Sequence, residues 1–157
     1  MTSSHNLSDY DPDPAQSGYA QRLQGDINDA DRRIRMYNSQ LSEAKKRLIH
    51  LHSMQDSLGR FHAQFDEDQN NRCKALSDLR AIGMDSKTVR GYVEAMTAHV
   101  NGNLATSVTD NFSASQRKIS HAIEEARMQV DHLTRMISLA QSEKAQLQEK
   151  MSSQEDQ

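Results

Sequence analysis

Seven histidines, one cysteine and the run Asp66-Glu67-Asp68 are the residues of this chain whose types could do chemistry. A metal site built on helices needs ligands three or four residues apart, so that both side chains leave the same face. His50 and His52 are two apart and leave a helix in different directions. The sequence holds no His-Glu-x-x-His and no Glu-x-x-His, and His99, His121 and His132 join no carboxylate–histidine pair of that kind. Cys73 stands alone, too few thiols for an intramolecular disulfide or a multi-cysteine zinc site, and reads as a small, semi-buried helix residue. Asp66-Glu67-Asp68 is followed by no loop of alternating ligands and reads as solvated charge rather than a calcium site. A glycine-rich phosphate loop, a nucleophile elbow and the kinase signatures are all missing. The expectation is a protein without catalytic residues, metal or cofactor.

What the sequence does specify is a pair of long apolar seams. Between Phe112 and Met151, one row runs Phe112, Ile119, Ala126, Leu133, Ala140, Leu147, and a second runs Gln116, Ile123, Val130, Ile137, Lys144, Met151. Both step by seven, the a/d pattern of a coiled coil. Upstream, Ile27, Ile34, Leu41, Leu48, Gln55 and His62 pair with Ala30, Tyr37, Ala44, Leu51, Leu58 and Phe65 in the same way. At 1.5 Å rise per residue each arm is roughly 60 Å long. Two arms of matching length in one chain predict an antiparallel helical hairpin, all-α and coiled-coil-like, with a short helix near the turn.

The expected layout is a disordered tail over 1–22, a hairpin over 23–152 with arms at about 26–66 and 104–151, a turn region at about 67–103, and a short tail over 153–157. Asp26 and Asp29 favour a helix start. Gly83 is the strongest helix stop, through a left-handed cap, and Asp85 or Ser86 can cap the next helix. Val89, Val93, Met96, Val100 and Leu104 fall at helical spacing, and Asn101-Gly102-Asn103 marks a second break. The tip is expected at 82–87. Gln55, His62, Gln116 and Lys144 interrupt the seams, as polar residues that select register or as frayed ends. Met36, Met54, Met128 and Met136 flank the seams, and Met128, Met136 and Leu139 suggest a second stripe beside the first.

The bulk numbers agree with a thin helical protein. Aromatic residues are 4%, tryptophan is absent and the mean hydropathy is -0.87, too polar for a thick core but ordinary where only a seam is buried. The net charge of -3, with signs interspersed, gives no footprint for nucleic acid or an anionic membrane. No apolar run reaches the ~18 residues of a membrane span, and the N-terminal stretch has no Sec-type signal pattern.

Two heptad arms around a short glycine-containing segment resemble the helical hairpins of type VII secretion, and among them the YwqH-like partners of LXG-domain toxins. The family's Trp-x-Gly near the bend corresponds here to Val89-Arg90-Gly91, followed by Val93 and Met96, with Val89 in place of the tryptophan. The final arm, Ile119 to Leu147, is similar in pattern to the family's last helix. The resemblance spans about residues 23–151. It implies a small partner or targeting chaperone that docks a helical segment of a larger effector, using seam residues Ile27, Ile34, Leu41, Leu48, Leu51, Leu58, Phe65, Phe112, Ile119, Ile123, Val130, Leu133, Ile137 and Leu147, with Gly83, Val89, Gly91 and Met96 around the turn. No Tyr or Phe has an acid four residues on, so the export motif that such substrates share would belong to the partner. The expected location is the cytoplasm, with export only in complex by a non-Sec route. The alternative is a homo-oligomeric coiled-coil subunit in a tethering, cytoskeletal or phage assembly. A helical protein partner or a second copy is expected, without nucleic acid or membrane insertion.

Overall fold

The computed structural model describes residues 14–83 and 85–155, with side chains placed from Gly18 to Gln154. Its elements are α1 (Pro14–Ile82), α2 (Lys87–Val100) and α3 (Asn103–Glu155), with no strand among the described residues. The fold is the all-α helical hairpin: α1 is one arm, and the return arm is broken into α2 and α3.

Contacts between the arms define two units, and antiparallel pairing is visible inside each. One unit combines α1 as far as Glu43 with α3 from Gln129. There Asp31 meets Lys144 and Arg33 meets Glu143, and the buried core is Leu23, Ile27, Ala30, Leu133, Ile137 and Ala140. The other unit covers Ala44–Met128. There Gln55 meets Ser120, Phe65 meets Phe112 and Cys73 meets Asn101, so partners move backward along the return arm as α1 moves forward. Its buried residues are Ala44, Val93, Ile123 and Ala126. Alanines recur in both cores because a small side chain lets two helix backbones approach closely, which a two-helix layer needs to exclude water.

α1 is longer at both ends than the heptad rows require. It begins at Pro14, inside the segment expected to be a tail, where a missing N–H and a fixed φ suit the first helical turn. Leu23, seven residues before Ala30, is buried and extends the seam by one step. The remainder of that expected tail, 1–13, lies outside the described residues. α1 also runs through 67–82, where a turn region was expected. Gln69, Cys73 and Leu76 are half-buried along this stretch, and the Cys73 Sγ donates to Asn101 Oδ1 at 3.5 Å. Burial against the return arm outweighs the weak helix propensity of Asn70 and Asn71. α3 likewise continues to Glu155, into the expected 153–157 tail, of which 156–157 lie outside the described residues.

The tip falls where the sequence places it, but by a different device. α1 ends at Ile82, yet no described residue has a positive φ, so Gly83 is not a left-handed cap. Its N–H donates to Leu79 O at 3.0 Å, and its carbonyl accepts from Ser86 N–H at 2.9 Å. Glycine is required here by space. A Cβ at Gly83 would collide with Val89 Cγ1 and lie 2.8 Å from Val89 Cβ. Ser86 is the N-cap of α2, its hydroxyl accepting from Val89 N–H at 3.3 Å. The second break is at Asn101 and Gly102, where a Cβ on Gly102 would come within 2.6 Å of Ala98 O. Leu104 therefore belongs to α3 rather than to the apolar face of α2, and it is exposed.

Candidate partner-binding surface

None of the fourteen seam residues singled out from the sequence is exposed. Ile27, Ile123, Leu133 and Ile137 are buried; Ile34, Leu41, Leu48, Leu51, Leu58, Phe65, Phe112, Ile119, Val130 and Leu147 are half-buried. They pack between the two arms, and two of the half-buried ones, Leu58 and Phe112, also reach an open groove at the surface. Around the turn, Val89 and Met96 are half-buried and point inward with the buried Val93. Gly91 is exposed in the body of α2, and a Cβ there would meet open space, so nothing in the fold demands a glycine at that position.

Three of the four polar seam positions find partners on the opposite helix. Lys144 Nζ donates to Asp31 Oδ1 at 2.7 Å, with both side chains about a third exposed. Beside it, Arg33 donates to Glu143 Oε1 at 2.8 Å, and this bond and charge raise the Arg33 pKa above its ordinary value. Gln55 Nε2 donates to Ser120 Oγ at 3.4 Å. His62 stacks on Phe112 with ring centroids 4.9 Å apart, while its Nε2 lies 3.6 Å from Asp66 on the next turn. Each contact is made in one register only, so these residues specify how the arms align. Gln116 behaves differently: it is exposed, beside Ser113, Arg117 and Ser120. Gln69 Oε1 is buried without a hydrogen-bond partner.

The histidines gather no ligands. His62 and His121 each approach one carboxylate, Asp66 and Glu125, both at 3.6 Å, and no group of three or more potential ligands exists among the described residues. No helix is long and apolar enough to cross a membrane.

The surface left for a partner lies beside the seam. In the Ala44–Met128 unit, Leu58 on α1 and Val108, Asn111, Phe112 and Ser115 on α3 line an open groove of about 230 Å³. Phe61, one turn beyond Leu58 on α1, is 65% exposed, and Met54 sits one heptad before it on the same flank. Leu104, one turn before Val108 on α3, is 69% exposed. An apolar side thus runs along both helices of this unit. The sequence reading picks out Met54 as a flank residue and places Leu104 on the apolar spacing of the preceding helix, but does not single out Phe61; the usable signal is the seven-residue step from Met54 to Phe61, one position off the Gln55–His62 row. Of the expected second stripe, Met128 and Leu139 are exposed and Met136 is half-buried. Comparison with protein-family models, with curated proteins and with solved structures finds no match to this chain.

Proposed function

We propose that the protein is a non-enzymatic binding hairpin that takes a helical segment of a larger protein along the apolar side of its Ala44–Met128 unit. The observation that carries this reading is the groove at Leu58, Val108 and Phe112 flanked by the exposed Phe61, Met54 and Leu104. An amphipathic helix laid into it adds a third helix to the pair, the usual way a two-helix layer completes a bundle. The finer reading, supported by the resemblance of the heptad arms to YwqH-like proteins, is a small partner or targeting chaperone of a type VII secretion effector. It binds the effector in the cytoplasm and leaves the cell only in that complex.

The test is co-expression of the full chain with the helical N-terminal domain of a toxin encoded beside it, followed by co-purification. Covering the exposed part of Phe61 removes on the order of 130 Å² of apolar surface from water, about 3 kcal/mol or roughly a hundredfold in affinity. Phe61→Asp and Leu104→Asp change exposed residues, so helicity should persist while capture is lost. Capture undiminished in both variants refutes the surface. A wild-type chain that forms a dimer through this side and ignores the toxin domain favours the homo-oligomeric alternative.

A further inference from the structure

The overall charge conceals a local excess at the tip of the hairpin. Within about 15 Å of the turn along each helix, from Arg72 on α1 to Glu94 on α2, the chain carries five cations, Arg72, Lys74, Arg80, Lys87 and Arg90, against three carboxylates, Asp78, Asp85 and Glu94, while the whole chain is -3. All five cations are exposed, and none enters an ion pair among the described residues. The next acid along α1 is Asp68.

The same end presents apolar side chains that the fold does not use. Ile82, the last residue of α1, is 85% exposed, the largest such value among the exposed large hydrophobics. Leu79, one turn earlier, and Tyr92, in the second turn of α2, are also exposed. Val89 and Val93 turn inward and hold this end together, so Ile82 and Tyr92 have no packing role that explains them.

We propose that the tip is a peripheral docking site for an anionic lipid surface. Three apolar side chains at a helix–helix turn are too few for a protein interface, which needs about 800 Å² on each partner. They suffice for shallow entry into the headgroup region when several basic residues stand beside them, each Lys or Arg near an anionic surface being worth about fivefold in binding. Tyrosine is suited to that boundary, with an apolar ring and a polar tip. The carboxylates at Asp78, Asp85 and Glu94 oppose the attraction, but five cations outnumber them. Arg80, Lys87 and Arg90, closest to the turn along the chain, act most strongly, because charge of either sign is screened beyond about 8 Å at physiological ionic strength. This site is separate from the groove at Leu58 and Phe112 and does not depend on what fills that groove.

The experiment is sedimentation of the full chain with vesicles of phosphatidylcholine alone or mixed with phosphatidylserine. The wild-type chain should pellet with the mixed vesicles at low salt, remain in solution with phosphatidylcholine alone, and be released by high salt. Arg80→Glu combined with Arg90→Glu should weaken binding at least twenty-five-fold, and Ile82→Ser should weaken it several-fold at unchanged net charge. All three positions are exposed, and circular dichroism of each variant verifies that the hairpin is intact. Absence of wild-type binding to phosphatidylserine vesicles at low salt overturns the proposal. So does binding that is indifferent to both sets of substitutions.

Discussion

Leu133→Ala measures how much of the stability resides in the seam. Leu133 is 5% exposed on the Phe112 row of α3. Truncation removes three side-chain carbons, about 2.4 kcal/mol of transfer free energy at ~0.8 kcal/mol each. A cavity term adds to this in thick cores, but a seam two helices wide can settle or admit water. The total should therefore sit near 2–3 kcal/mol, the lower part of the range of roughly 2–5 for buried leucines. For a chain of this size each kcal/mol lowers the melting midpoint by about 2–4 °C, so the expected drop is roughly 5–10 °C. Glu125→Ala is the comparison: Glu125 is well exposed, with its carboxylate 3.6 Å from the exposed His121 on the preceding turn, so its change should stay within about half a kcal/mol. Thermal melts followed by far-ultraviolet circular dichroism read both variants. Equal midpoints for the two would refute the burial of the heptad row.

Gly83→Ala forces a Cβ into Val89 and should destabilise by about 1–3 kcal/mol; Val89→Ala in the same chain should recover part of it, as a double-mutant cycle in urea would register. Gln69→Leu removes a buried oxygen that has no partner and should raise the urea midpoint by about 1 kcal/mol equivalent. Asp31→Asn removes the negative charge opposite Lys144 while keeping an acceptor oxygen, and should cost up to about 1 kcal/mol at low ionic strength, less at high salt. A cost that does not change with salt would mean that the pair acts by packing and not by charge.

Long rows of sevens made the arms and their antiparallel sense legible, because a seam of that length has no other way to be buried within one chain. The breaks were legible too: Gly83 and Gly102 stand where the fold has no room for a side chain. The mechanism at Gly83 was not, since a glycine required for space and one required for a left-handed φ look alike in a sequence. The helix through 67–82 was hidden for a related reason. Asn70 and Asn71 speak locally for a turn, and only the half-burial of Gln69, Cys73 and Leu76 against the return arm explains why none forms. The seam rows mark the residues that pack between the arms, and two of them, Leu58 and Phe112, also wall the open groove, which periodicity alone does not distinguish from the rest of the row. Phe61 stands one position off the seam rows and Leu104 continues the spacing of the preceding helix, so neither marks a surface until the opposite helix brings a groove beside it.

The Phe61 side is free for a partner only where the seams are satisfied within one chain. The direct test is a short bis-maleimide cross-link between Gln55→Cys and Ser120→Cys in a Cys73→Ser background, two positions whose native side chains meet end to end at 3.4 Å. Cross-linked at high dilution, the purified chain should give an internally bridged species of monomer mass, and the yield should not depend on concentration. Cross-links that form only between chains, and fade on dilution, would show that the seams pair in a parallel or domain-swapped dimer and would contradict the account.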